Sequence, residues 1–236
     1  MRGPGRYCRA MRILFAALRL VVAAGVTAAI IAQLALSISL WSEAGVNLGV
    51  YIQNFFSFFT IESNVLTVVV CLVGAVLLLA RREGADPTWF NNLRAATATY
   101  MIVTGVVYNL LLRGIELPQG TTVPWSNEVL HVVGPLWMLL DWLLAPGRKP
   151  LEWRRGILGI IAFPLVWVVY TLVRGPLTAD PFKGFDYWYP YPFLNPNLSQ
   201  NGYLSVAFYV ILIAVIIGLT AAGVIWASRR KRAVAA

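Results

Sequence analysis

Six long apolar runs, separated by short basic or proline-rich stretches, constrain this chain more than any single motif does. A helix that crosses the hydrocarbon core of a bilayer takes about 20 mostly apolar residues. Runs of roughly that length occupy 13–40, 51–80, 89–112, 127–144, 157–173 and 203–227. The chain has 236 residues, of which 59% are hydrophobic and only 12% charged, so it lacks the polar surface of a soluble domain. The expected fold is all-α: one polytopic membrane bundle of six transmembrane helices spanning residues 1–236, with no separate soluble domain.

Basic residues supply the orientation, because cytoplasmic segments carry an excess of Lys and Arg. Arg2, Arg6, Arg9 and Arg12 precede the first run, Arg81 and Arg82 follow the second, Arg148, Lys149, Arg154 and Arg155 lie between the fourth and fifth, and Arg229, Arg230, Lys231 and Arg232 follow the sixth. The other face receives Arg113, Arg174 and Lys183. With six crossings every basic cluster falls on one side, which predicts an integral membrane protein with both termini in the cytoplasm. The net charge of +9 therefore reads as topology; no nucleic-acid-binding module accompanies it, and no nucleic-acid partner is expected.

The basic start followed by an apolar run resembles a secretory signal. The run from Ile13 to Leu40 is too long for a cleaved apolar region of about 7–15 residues, so it reads as an uncleaved first helix. Cys8 and Cys71 fall in a basic segment and inside an apolar run, positions unsuited to a disulfide. Trp41, Trp89, Trp125, Trp153 and the Tyr187–Tyr191 cluster sit at expected interfaces, where amphipathic rings anchor a membrane protein. The long segment from Arg174 to Gly202, rich in proline and aromatics, is also a candidate lid.

Ionisable residues are expensive in hydrocarbon and must face protein or a wet cavity. Those inside the runs are Arg19, Glu62, Arg94, His131 and Asp141. Arg19 and Arg94 lie near one end of their helices, where long cations snorkel to the interface. Arg94 and Asp141 fall at similar depth on neighbouring helices and are expected to form a structural ion pair.

The opposite half of the bundle carries the candidate chemistry. In the second run Ser57, Thr60, Asn64 and Thr67 recur at helical spacings of three and four amid phenylalanines, forming one polar stripe. The single histidine, His131, lies about 9 Å below Trp125 on the fourth helix, and Tyr108 and Asn109 close the third. A threonine hydroxyl becomes nucleophilic when a base takes its proton, and a neutral imidazole suits that task near neutral pH. Thr60 is thus a candidate nucleophile with His131 as its base. Glu62 or Glu128 is available to orient the imidazole, and Asn64, Tyr108 or Asn109 to donate hydrogen bonds to an oxyanion. Spacing alone also permits blander roles: a membrane threonine commonly bonds its own preceding turn, a lone histidine bridges helices, and Glu62 serves equally as a proton-relay carboxylate. One histidine without clustered thiolates or carboxylates builds no metal site, and no cofactor is expected.

The segments FFSFFTIESN (55–64), LHVVGPLWMLLDWLL (130–144) and YPYPFL (189–194) resemble the bacterial six-helix proteins named Pr-six-Pr. These in turn are remotely similar to the animal androgen-induced membrane protein family, whose members hydrolyse fatty acid esters of hydroxy fatty acids with an intramembrane threonine and histidine. The resemblance implies that Thr60 is the nucleophile and His131 its partner. The residues that follow each of them, Ile61–Glu62–Ser63 and Val132–Val133–Gly134–Pro135, depart from the animal pattern, as does the aromatic loop.

The expected function is therefore intramembrane hydrolysis of a lipid-like ester, with membrane lipids and a lipid-like small molecule as partners and the phenylalanines around Thr60 lining an apolar site. The alternatives are a proton-coupled carrier or lipid-handling protein that uses Glu62 and His131, and a non-catalytic bundle. The oligomeric state has no signature in the sequence.

Overall fold

The computed structural model describes residues 4–80, 84–115 and 120–230. Arg2, Arg81, Arg82, Lys231 and Arg232 lie outside the described residues, as do the side chains of Arg6 and Cys8. The described chain is all-helical apart from loops and an isolated bridge between Asp180 and Phe185. Among the described residues five helices are long and apolar enough to cross a membrane.

The elements in chain order are α1 (Pro4–Glu43), α2 (Leu48–Phe56), α3 (Phe59–Ala80), α4 (Thr88–Val107), α5 (Pro124–Glu128), α6 (Gly134–Leu144), α7 (Trp153–Arg174) and α8 (Tyr203–Arg229). At about 1.5 Å per residue α1 is about 60 Å long, twice the hydrocarbon thickness. It outruns the apolar stretch by extending into the basic residues before Ile13. Two wider π-helical turns interrupt the regular pitch: Tyr108–Leu112 continues α4, and Val129–Val133 joins α5 to α6. The expected fourth run is thus one helical rod with a change of pitch in its middle.

The expected second helix, 51–80, is two helices. Here the sequence expectation fails because the apolar run FFSFF hides a stop. The Ser57 and Phe58 amides reach back only three residues, to the Asn54 and Phe55 carbonyls. The Ser57 hydroxyl bonds the Gln53 carbonyl at 2.7 Å, a competition with the helix that serine side chains offer. From α7, the Trp167 indole donates to the Ser57 carbonyl at 3.1 Å, and the Tyr170 hydroxyl meets the Ser57 hydroxyl at 2.9 Å. The break is held open by a neighbouring helix.

Large apolar side chains such as Val21, Val76, Val166 and Leu219 are exposed around the bundle, as expected of a surface facing lipid tails rather than water. The interior is packed by Phe90, Met101, Met138 and Trp142, all fully buried.

Near the basic end of the bundle the interior turns ionic. Asp141 takes Arg19 at 2.8 Å and 3.0 Å through its two oxygens, and Arg94 at 2.8 Å on the second. Arg94 also pairs with Asp86 at 3.1 Å and donates to the Asp141 backbone carbonyl. Arg19 does not snorkel: it is 0% exposed and shares the ion pair expected for Arg94 alone. Gly74 makes room for it, since a methyl group there would overlap the Arg19 guanidinium and the Phe90 ring. Four buried charges that sum to zero, with each carboxylate bonded, satisfy the condition under which burial of ions is tolerable. Arg12, also buried, donates to the carbonyls of Leu78 and Gly84, which fixes α1 to the end of α3.

Candidate active site

The break between α2 and α3 leaves the first amides of α3 without helical acceptors. The Thr60 amide finds one in the hydroxyl of Tyr191, at 3.1 Å, and the Thr60 hydroxyl lies 3.2 Å from the same oxygen. Tyr191 comes from the long loop between α7 and α8, which is bolted down at several points. The Tyr51 hydroxyl donates to Asp180 at 2.7 Å and accepts from the Phe182 amide, and the Trp188 amide bonds the Gly175 carbonyl. Phe58 packs edge-on against both Trp188 and Tyr191, and Phe193 stacks on Tyr191 at 5.1 Å. Trp188 and Tyr191 are therefore buried loop residues, not part of the interfacial belt to which the sequence assigned them. Trp89, Trp125 and Trp153 do remain exposed. Burial pushes the Tyr191 phenol up to about 12, so at neutral pH it gives and takes hydrogen bonds as an uncharged hydroxyl.

Thr60 and Tyr191 sit at the wall of a cavity of about 170 Å³. Residues of α3, α4, α7, α8 and the loop line it, almost all of them apolar. Pro164 and Leu165 of α7 and Ile213 and Ala214 of α8 form one side, and Leu165 and Ala214 are exposed, so the cavity communicates with the bundle surface between α7 and α8. Toward the basic end these two helices close together, with Ile225 of α8 packed against Gly156 of α7. Besides Thr60 and Tyr191, Thr104 contributes polarity to the lining; its hydroxyl is buried and makes no hydrogen bond.

His131 lies in the π-helical turn of the fourth rod and stacks on Tyr108, with ring centroids 4.1 Å apart. Tyr108 opens the other π-helical turn, so the two irregular turns face each other through this stack. Such turns are frequent at functional sites. Tyr108 lines the cavity and His131 does not. The His131 Nδ1 contacts the Asn127 carbonyl at 2.9 Å, and Asn127 in turn donates to the Tyr108 hydroxyl at 2.6 Å. Among the described residues no hydrogen bond joins Thr60 to His131; a tyrosine ring stands beside each.

The supporting candidates distribute unevenly. Asn64 commits its amide to the carbonyls of Thr60 and Leu130, at 2.8 Å and 3.1 Å, so it ties α3 to the His131 helix and has no donor left for an oxyanion. Gly134 admits the Asn64 side chain beside it. Asn109 is exposed and bonds the Gly105 carbonyl. Glu128 does not orient His131; it is half-exposed and forms a bidentate pair with Arg113 at 2.7 Å and 2.8 Å. Glu62 has one buried carboxyl oxygen with no hydrogen-bond partner. The residue that sequence reasoning missed is Tyr191, buried beneath the loop against Thr60, Phe58 and Phe193. Among the described residues no cluster of three or more potential ligands could hold a metal ion.

No family model, curated protein or solved structure matches this chain. The functional reading therefore rests on the residues themselves.

Proposed function

We propose that the protein is an intramembrane hydrolase of lipid-like esters, built as six membrane crossings with both termini on the cytoplasmic side. The observation that carries the reading is the Thr60 hydroxyl, placed with Tyr191 at the wall of an apolar cavity that opens sideways. A water-soluble substrate has no use for a side entrance between two apolar helices; an acyl chain already dissolved in the bilayer does. The sixth crossing is supported by the rod from Pro124 to Leu144, about 30 Å of helix without a gap.

In this mechanism the Thr60 oxygen attacks the ester carbonyl while its proton passes to the free nitrogen of His131. Tyr191 donates to the oxygen that gains negative charge, the role first sought among Asn64, Tyr108 and Asn109. The leaving alkoxide takes the proton from His131, and water then cleaves the acyl-threonine. His131 does not line the cavity, so this mechanism requires it to approach Thr60 before the proton is transferred. The test is hydrolysis of a long-chain nitrophenyl ester by the purified protein, together with covalent labelling by a fluorophosphonate probe. Both are expected to vanish in Thr60→Ala and to persist in Thr60→Ser; labelling that survives Thr60→Ala removes the nucleophile and the reading with it.

One observation favours a proton-coupled carrier instead, the unbonded carboxyl oxygen of Glu62. A carrier needs a polar route to both faces, and below the cavity the core is closed by Met101, Met138 and Trp142. Proton uptake into liposomes that is lost in Glu62→Gln but kept in Thr60→Ala selects the carrier.

A further inference from the structure

At the loop end of α7 the polar groups are left unsatisfied in a way the cavity chemistry does not explain. Arg174 has no carboxylate partner among the described residues, and one of its terminal nitrogens, Nη1, is buried without a hydrogen bond. Its other terminal nitrogen donates to the Asn54 side-chain oxygen at 2.6 Å. The Asn54 amide nitrogen is also unbonded, although the residue is only 2% exposed. One turn before Arg174, on the same face of α7, the buried Thr171 hydroxyl lacks even the bond to its own preceding turn. Buried donors without acceptors are uncommon and call for a missing partner.

Arg174 lines a second cleft, of about 380 Å³, walled by Asn47, by Tyr51 and Gln53 of α2, and by the start of the loop through Thr178. The guanidinium is held in place by the Trp188 and Tyr170 rings, 5.1 Å and 5.9 Å from its carbon. A cation fixed by stacking at the wall of a cleft can receive an oxyanion through charge-assisted hydrogen bonds; its Nη1 and the Asn54 amide lie behind that wall, without accessible surface.

We infer that Arg174 and Asn54 form an anion site for a phosphate group, at the loop end of the bundle and separate from the Thr60 cavity. The phosphate belongs either to a lipid headgroup, which the rim of a membrane bundle meets continuously, or to a small soluble anion. Neither source depends on ester hydrolysis at Thr60.

The test is thermal unfolding of the full-length protein in a neutral detergent, titrated with inorganic phosphate, with phosphatidylglycerol, or with a monoacylglycerol that has no phosphate. A saturable rise in melting temperature with a phosphate-bearing probe and none with the monoacylglycerol is expected. A rise with phosphatidylglycerol alone assigns the headgroup, and a rise with inorganic phosphate assigns a soluble anion. Asn54→Asp keeps the acceptor for Arg174 but neutralises the guanidinium, and is expected to weaken the effect by about tenfold or more. Asn201→Asp, the same charge change at an exposed loop position, is expected to leave it intact. The inference is overturned if no phosphate-bearing probe shifts the transition, if the shift survives Asn54→Asp, or if Asn201→Asp removes it equally.

Discussion

The two ends of this bundle differ in how they pair their charges. At the basic end, Arg19, Arg94, Asp86 and Asp141 are almost fully buried, and each meets an opposite charge at 2.8–3.1 Å. At the loop end, Thr104, Glu62, Asn54 and Arg174 all keep buried polar atoms with nothing to bond, beside a cavity and two helical rods whose pitch widens. Arg19 Nη1 at the basic end also lacks a hydrogen bond, but each of these four charges is paired there, whereas the loop end has the break before α3, both wider turns and, among the described residues, an unpaired guanidinium. The first end holds the helices together; the second retains unmet bonding capacity, as a site that must accept something else does.

The sharpest way to break that contrast is to remove the carboxylate of Asp141. Asp141→Leu leaves two buried guanidinium groups with no acid between them and is expected to cost about 3–5 kcal/mol, read as loss of folded protein in detergent unfolding. Gly74→Ala strikes the same cluster sterically, through the Arg19 guanidinium and the Phe90 ring, with an expected loss of about 1–3 kcal/mol. Thr60→Val, at the other end, keeps the side-chain shape and is expected to cost only about 1 kcal/mol of stability while reducing ester hydrolysis to the uncatalysed background. An unfolding midpoint lowered as far by Thr60→Val as by Asp141→Leu would erase the distinction between the two ends.

The smallest effect belongs to Glu152, which caps α7 on the surface of the basic end. Its carboxylate accepts the Arg155 amide at 2.6 Å and the Arg154 amide at 2.9 Å, and these bonds hold it below the usual carboxylate range. A lowered folded-state value means that the stabilisation is present above the unfolded-state pKa and fades as pH falls through the folded one. The difference in melting temperature between the wild type and Glu152→Gln is therefore expected to be present at neutral pH and to vanish in acid.

Much of the fold was legible because hydrophobic length reports helices almost directly in a chain of this composition. Charged pairs follow from depth: Arg94 and Asp141 lie at matched heights on adjacent rods. Arg19 was not legible as their third partner, because its pocket depends on the missing side chain of Gly74, a contact across helices. The break at Ser57 was hidden for a similar reason. FFSFF has no glycine or proline, and what stops the helix there is a tryptophan and a tyrosine more than a hundred positions away. The polar stripe from Thr60 to Thr67 was visible by its period, but the partner of Thr60 was not. Tyr191 reads as one more interfacial aromatic, because its burial depends on contacts with Thr60 and Phe58 more than a hundred positions away. The two π-helical turns, each only a local change of pitch, leave no mark in an apolar pattern.

The shared hydrogen-bonding of Thr60 has a consequence for how this protein responds to whatever enters it. One phenol oxygen serves both the threonine's hydroxyl and the amide that begins the helix, so a guest that draws Tyr191 toward itself loosens the root of that rod as well. Were a ligand to occupy the cavity under the proposed function, its binding and the anchoring of the helix would form one equilibrium, felt along the rod on which Asn64 grips the neighbouring backbone.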